Sequence, residues 1–227
     1  MKLLAIETAT EACSAALMID DHIEQRYEIA PREHASKILV MIDRLMADAQ
    51  LNATQLDAVA FGRGPGSFIG VRIAAGITQG IAFGADLPVV PVSTLAAIAQ
   101  GTVHENLLVA IDARMKEVYW GQYSRRDSNA NVTAVAPEQL IAPADIALDD
   151  NDTSWVGVGS GWQTYGALLA ERLPFVTRTD DNLYPTAQSV AQLALELFKQ
   201  DQWVAAADAL PVYLRDHVAD KPTPRHY

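Results

Sequence analysis

The sequence comprises 227 residues, of which 50% are hydrophobic, and 17 Lys and Arg against 28 Asp and Glu give it a formal net charge of −11. This length allows one large domain or two small ones with a substantial core. Apart from the short Arg125–Arg126 pair there is no basic stripe. Direct nucleic-acid binding, which depends on neutralising phosphates, is therefore disfavoured.

The single cysteine and the N-terminus indicate a cellular location. Cys13 cannot form an internal disulfide. At the N-terminus, Glu7 interrupts the first apolar run before a signal-peptide core could form. No uninterrupted apolar run approaches the roughly 20 residues that span a bilayer. We therefore expect a cytoplasmic protein with no membrane segment.

The first hundred residues alternate between apolar runs and helical patterns, bounded by turn residues. The predicted elements are strands at Lys2–Ile6, Cys13–Ile19 and His22–Ile29, a helix at Arg32–Gln50, a strand at Leu56–Phe61, a helix at Ser67–Phe83, a strand at Leu87–Val92 and a short helix at Ser93–Gln100.

Both long helices have unusual faces. The apolar residues between Ile38 and Ala49 spread over about 160° of the first helix, wider than an ordinary one-sided stripe. This width is typical of a deeply buried helix, or of one with a second face on a partner. In the second helix, Gly76, Gly80 and Gly84 lie along one side. Because glycine costs about 1 kcal/mol in a helix relative to alanine, this spacing indicates close helix packing, within the fold or across an interface.

After Gly101 the pattern starts again. Strands are predicted at Leu107–Ala113, Val118–Tyr123, Val132–Ala136 and Trp155–Val158, followed by helices at Trp162–Arg172 and Thr186–Lys199. Two successive β-β-β-α-β units indicate a duplicated α/β fold with a mixed sheet and flanking helices in each half. We expect halves at residues 1–103 and 104–210, and a segment at 211–227 that packs back or frays.

A glycine-rich turn connects the fourth strand to the second helix. Residues 61–72 have the sequence F-G-R-G-P-G-S-F-I-G-V-R, in which Ser67 is the natural N-cap of the helix. Such a turn can hold an anion at the helix N-terminus, or it can be a tight connection packed against a neighbour. It lacks the lysine of a Walker loop.

Other chemistries find little support in the residues. No two of the five histidines lie three or four apart, so there is no zinc pattern. The G-x-S-x-G turn of serine hydrolases is absent. A phosphotransferase with duplicated halves would need a phosphate-gripping hairpin in each half. The candidates are Glu7–Thr10 and Asp112–Met115, and the second has Ala, Arg and Met where the backbone would approach a phosphate.

Several motifs, in this order along nearly the whole chain, resemble the TsaB (YeaZ) family, and its gamma-proteobacterial members most closely. They are I-E-T-A-T at 6–10, G-R-G-P-G-S-F at 62–68, G-V-R at 70–72, D-A-R at 112–114, E-V-Y at 117–119 and P-V-Y-L-R at 211–215.

This resemblance implies an actin-like, Hsp70-like ATPase (ASKHA) fold. It also implies a role in forming threonylcarbamoyladenosine at position 37 of tRNAs that read codons beginning with A. The family member is a non-catalytic subunit that binds and activates TsaD, the homologue with the metal and nucleotide site, together with the ATPase TsaE. It implies no cofactor, no metal, no catalytic residue of its own, and contact with tRNA only through the complex.

Two sets of site residues follow from the resemblance. The expected partner-binding surface comprises His34, Ile38, Met41, Ile42, Leu45, Arg72, Ile73, Gly76, Ile77 and Gly80. The expected vestigial phosphate loop comprises Thr8, Thr10, Gly64, Gly66, Ser67 and Asp112. The metal-binding histidine pair of TsaD is missing, because His34 is followed by Ile38 at the second position.

Two further interpretations stay open from the sequence. The chain could be an enzyme itself, either a weak nucleotide hydrolase or a glycoprotease, as older labels for the superfamily suggest. It could also form a homodimer through the same helices, because an exposed apolar helix pair tends to self-associate when the true partner is missing.

Overall fold

The computed structural model describes residues 1–128, 130–149 and 153–215. Within these residues the chain forms two mixed β-sheets with α-helices packed against them. The first half contains β1 (Lys2–Glu7), β2 (Ala12–Ile19), β3 (His22–Ile29), α1 (His34–Asp48), β4 (Ala58–Gly62), α2 (Phe68–Ala85), β5 (Val89–Val92) and α3 (Thr94–Gln100). The second half contains β6 (Asn106–Asp112), β7 (Val118–Ser124), β8 (Thr133–Ala134), β9 (Gln139–Ile141), β10 (Val156–Val158), α4 (Ser160–Arg172), β11 (Arg178–Asp180) and α5 (Ala187–Lys199). Single 3₁₀ turns occur at Ala53–Gln55, Pro143–Asp145 and Ala206–Asp208.

The two sheets repeat one topology. The first has the strand order β3-β2-β1-β4-β5, in which β1 is antiparallel to β2 and parallel to β4. The second has the order β11-β10-β6-β7-β8, in which β6 is antiparallel to β7 and parallel to β10. The central strand of each sheet is thus the first strand of its half. This arrangement confirms the predicted duplicated actin-like fold.

Two short strands of the second sheet were not predicted. β9 and β11 have three residues each, and the residues of β11 are all exposed. Neither strand has room for an alternating apolar pattern, and both form because a neighbouring strand, β7 or β10, offers an edge for pairing.

The helices cover both faces of the first sheet. On one face, Ile38 and Leu45 of α1 and Ala74 of α2 share an apolar cluster with Leu4 and Phe61 of the sheet. On the other face lie α3 and α5. Although α5 follows the second sheet in sequence, it contacts the first, so the halves share one core. The strands of the first sheet lie within residues 2–92 and those of the second within 106–180, and α5 packs against the first sheet. The division into halves at 1–103 and 104–210 stays a prediction.

Helix α2 is longer and more apolar than the sequence analysis led us to expect, since no apolar run there approached the length that spans a bilayer. Among the described residues it is the one helix that is long and apolar enough to cross a membrane, with 18 residues and a mean hydropathy of 1.4. Its buried side, which includes Ala74, Ala75 and Ala82, packs in the core of the first half. Core helices of globular proteins have the same length and composition.

The chain packs back on the glycine-rich turn after its last helix. The Val212 amide donates to the carbonyl of Arg63 at 2.8 Å. The Arg215 guanidinium donates to the Ala113 carbonyl and forms a 2.8 Å ion pair with Glu117. The predicted C-terminal segment therefore packs back as far as residue 215, and its remainder, 216–227, lies outside the described residues.

Candidate functional site

The glycine-rich turn packs against the hairpin that follows β1. A Cβ on Gly66 would lie 2.4 Å from the carbonyl oxygen of Ala9, and one on Gly70 would lie 2.1 Å from that of Thr8. The Ser67 amide donates to the Ala9 carbonyl at 2.7 Å. The turn is therefore a tight connection packed against a neighbour, the second of the two interpretations that the sequence left open.

The first hairpin directs its polar groups into the protein. Thr8 is fully buried, and its hydroxyl donates to the carbonyl of Gly70 at 2.8 Å. Ser67 is the N-cap of α2, as predicted, and its hydroxyl oxygen accepts a 3.4 Å hydrogen bond from the Gly70 amide. The groups that could have contacted a phosphate here are thus partly used within the chain.

The equivalent hairpin of the second half has a neutralised acid. The Asp112 carboxylate accepts from the Arg114 backbone amide at 2.8 Å and pairs with the Arg114 guanidinium at 2.9 Å. Arg114, Met115 and Lys116 have φ angles of 61°, 55° and 63°. Three successive side-chain-bearing residues in the left-handed region store backbone strain at the hairpin tip.

Between the two hairpins lies an open cleft of about 230 Å³, lined by Thr10, Glu11, Ser67, Asp112 and Arg114. Thr10, Ser67 and Asp112, predicted to be part of a vestigial phosphate loop, do come together here. Gly64 does not line this cleft, because it packs between Val71 and the Val212 carbonyl. Within the described residues no group of three or more His, Cys, Asp or Glu is arranged to hold a metal.

Glu7, the acid of the first candidate hairpin, is fully buried and is not among the predicted site residues. Its carboxylate accepts from the Ala9 amide at 2.6 Å and from the Thr94 hydroxyl at 3.2 Å. Loss of solvation raises the pKa of Glu7 from its ordinary 4.5 to about 7, and the two hydrogen bonds only partly offset this effect. Because the position is sealed from solvent, Glu7 is a structural acid whose protonation affects folding.

A second cavity, of about 570 Å³, lies beside the N-terminus of α2. The Arg72 guanidinium lies 3.3 Å from the ring centroid of Phe68 and 4.8 Å from that of Tyr213. Phe68 and Tyr213 are about half exposed, and Met115 is 71% exposed. A cation held between two rings, with apolar neighbours in solvent, is typical of a contact surface.

The outward sides of α1 and α2 expose apolar side chains on the first half. We call this the α1–α2 surface and define it by exposed residues that point away from the sheet. They are Leu39 and Val40 on α1 and Ile69, Arg72, Gly76, Gly80 and Phe83 on α2.

Half of the interface residues that the sequence predicted are buried in the structure and are not on the α1–α2 surface. The α1 members are buried against the chain's own sheet. These five residues are His34, Ile38, Met41, Ile42 and Leu45. The ring Nε2 of His34 lies 3.2 Å from the carbonyl oxygen of Ala12. On α2, Ile73 and Ile77 are half-buried, and Arg72, Gly76 and Gly80 are exposed.

The α2 glycines pack against none of the described residues. An added Cβ on Gly76, Gly80 or Gly84 would meet no atom of these residues within 4 Å. The described part of the fold therefore gives no support to close helix packing within the chain, one of the two explanations for their spacing. The other explanation, packing across an interface, stays a prediction.

Comparison with known proteins yields one family model and several full-length relatives. The model described as TsaD, tRNA N6-adenosine threonylcarbamoyltransferase, matches residues 22–222. The tRNA threonylcarbamoyladenosine biosynthesis protein TsaB of Escherichia coli K12 is 43% identical over 99% of both chains. The TsaB protein of Haemophilus influenzae is 40% identical over 99% of this chain and 98% of its own. The solved structure of YeaZ from Pseudomonas aeruginosa superposes with a TM-score of 0.88 at 40% identity, covering 94% of this chain and 99% of that one.

Proposed function

Because this chain belongs to the TsaB (YeaZ) family, we propose that it takes part in threonylcarbamoyladenosine biosynthesis as a non-catalytic subunit. It acts in the cytoplasm on position 37 of tRNAs that read codons beginning with A. It binds and activates TsaD together with TsaE, and tRNA contacts it only through the complex. Residues 1–103 carry the partner-binding helices.

The observation that carries this proposal is the open glycine side of α2. Each glycine within a helix lowers its stability by about 1 kcal/mol relative to alanine. Gly76 and Gly80 have no neighbour among the described residues that would require the lack of a side chain. A partner helix that approaches the bare backbone closely would provide the reason, and exposed Leu39, Val40 and Phe83 would add apolar contacts.

The state of the two hairpins supports the non-catalytic part of the proposal. The Thr8 hydroxyl is buried and bonded to Gly70, and the Asp112 carboxylate is paired with Arg114. The groups that a nucleotide hydrolase would direct at phosphate are thus engaged with the protein itself. The alternative of a nucleotide hydrolase or glycoprotease has no comparable support in the described residues.

Reconstituted threonylcarbamoyl transfer with TsaD and TsaE tests the proposal. The variant Gly76→Leu/Gly80→Leu should reduce complex formation and transfer at least tenfold, because two leucines hold the helices apart. The matched control is Gly166→Leu on α4, where an added Cβ also meets no atom of the described residues within 4 Å. This variant should behave as wild type.

Two results would contradict the proposal. One is normal transfer by the double leucine variant, which would rule out the α1–α2 surface. The other is loss of transfer in Asp112→Asn with an intact complex, which would mean that this chain contributes chemistry.

The same surface supports a homodimer of the isolated chain. Its exposed apolar side chains make self-association favourable when TsaD is absent. Sedimentation should show a concentration-dependent dimer that Gly76→Leu/Gly80→Leu abolishes and that added TsaD dissociates. A dimer that persists in the double variant would use another surface.

A further inference from the structure

Arg125 is a buried cation with no counter-charge among the described residues. Arg125 comes directly after the last residue of β7 and is only 7% exposed. Its one side-chain hydrogen bond within the described residues runs from Nη2 to the Ala99 carbonyl at 2.7 Å. The Nε atom is fully enclosed and has no acceptor, and no carboxylate of the described residues lies within ion-pair distance. Burial lowers the pKa of the guanidinium, which still stays charged at neutral pH. An isolated buried charge is strongly unfavourable unless something neutralises it.

An open cavity of about 480 Å³ lies beside this side chain. Its walls come from β3, the end of α3 and the start of α5, so it lies where the two halves meet. Apart from Arg125 its polar lining is uncharged, and includes Gln25, Gln100, Thr102 and Gln192. Although the chain has 28 acidic residues, none of the described residues that line this cavity is acidic. Arg125 is therefore the one charged residue among the described lining residues.

Two uncharged side chains of the cavity, Gln25 and Gln192, use their amide oxygens as acceptors within the chain. Gln25 Oε1 accepts from the Gln188 amide at 2.8 Å, and Gln192 Oε1 accepts from Gln100 Nε2 at 3.3 Å. These bonds fix the side-chain amides so that the Nε2 groups of Gln25 and Gln192 have no acceptor among the described residues. The Thr102 hydroxyl oxygen accepts from a backbone amide in the same way.

We propose that this cavity is a binding site for a small oxyanion, a carboxylate or a phosphate, with Arg125 as the charged anchor. Nη1, the guanidinium nitrogen that is neither bonded nor enclosed, donates to the ligand, and the amide groups of Gln25 and Gln192 provide further donors. The cavity size suits a small metabolite that carries the anionic group. Tyr184 lines both this cavity and the cleft between the hairpins, so the two sites are neighbours with separate charged residues.

Thermal unfolding of the full chain at constant ionic strength tests the proposal, with inorganic phosphate and acetate as probes and chloride as the reference. The preferred probe should raise Tm saturably in the millimolar range, by about 3–6 °C at ten times its Kd. Phosphate also stabilises proteins without binding specifically, so the comparison of variants decides. Arg125→Gln should lose the saturable part, and Arg126→Gln, whose side chain is 92% exposed, should keep it.

The variant itself supplies a second readout. Without anion, Arg125→Gln should be at least as stable as wild type, because the uncompensated charge is gone. If Arg125→Gln does not fold, Gln25→Glu replaces it, since it keeps the acceptor for the Gln188 amide but adds a negative charge to the cavity. Gln25→Glu should abolish anion binding measured by calorimetry. A wild-type chain that binds neither probe, or an Arg125→Gln chain that responds as wild type does, would overturn the proposal.

Discussion

Replacing Gly76 and Gly80 by alanine should make the isolated chain more stable. A Cβ on either glycine meets no atom of the described residues within 4 Å, so no clash offsets the gain in helix propensity. Each replacement contributes about 1 kcal/mol. The two sites lie one helical turn apart, but two added methyl groups are too small to interact strongly, so the effects should roughly add. The double variant should unfold with a free energy about 2 kcal/mol higher, and with a Tm about 4–8 °C higher for a chain of this size.

Urea denaturation followed by circular dichroism measures this change. The protein concentration must be one at which sedimentation shows a monomer, because a dimer would add its own stability. Gly70→Ala in the same helix is the opposite control. Its Cβ would lie 2.1 Å from the Thr8 carbonyl oxygen, a backbone clash that should cost about 3 kcal/mol or more.

The outcome bears directly on why the glycines are there. If the double alanine variant is no more stable than wild type, the space beside α2 is filled in the isolated chain and our reasoning fails. If it is more stable but binds TsaD more weakly, the glycines reduce helix stability in favour of close approach by a partner.

Three further predictions concern the first hairpin and the turn. Burial raises the pKa of Glu7 to about 7 in the folded chain. Between pH 4.5 and 7 the folded chain therefore holds a proton on Glu7 that the unfolded chain releases. The contribution of Glu7 to stability consequently falls as pH rises through this window. Wild type should therefore lose stability relative to Glu7→Gln, by about 3 kcal/mol between pH 4.5 and pH 7.5, as measured by urea denaturation at each pH. A difference between the two proteins that does not change with pH would contradict the raised pKa. Thr8→Val should cost about 1 kcal/mol, because one buried hydrogen bond is lost, and leave threonylcarbamoyl transfer unchanged; lost transfer in a folded variant would indicate a direct role. Ser67→Ala should lower the free energy of unfolding by about 0.5–1 kcal/mol through loss of the α2 cap, and an unchanged value would show that the 3.4 Å contact contributes nothing.

Much of the fold could be predicted because its signals are local. The apolar runs of β1, β2 and β4, the start of α2 at the Ser67 cap and the repeated element order depend on neighbours along the chain. The packed glycine-rich turn was one of two interpretations of the same residues. Choosing between them required the positions of the Thr8 and Ala9 carbonyls, which come from a distant part of the sequence.

The sequence by itself thus determined the α/β class, the duplication and the family resemblance, since these follow from periodicity and motifs. Only the tertiary structure decided which side of each helix faces the sheet. The wide apolar stripe of α1 contains buried Ile38 and exposed Leu39 alike, and the sheet position separates them. Arg125 and Arg126 are likewise equivalent as a basic pair. The structure encloses one beside the cavity and leaves the other in solvent, because the Arg125 amide still pairs with the Glu105 carbonyl at the end of β7, whereas Arg126 lies in the bend that follows.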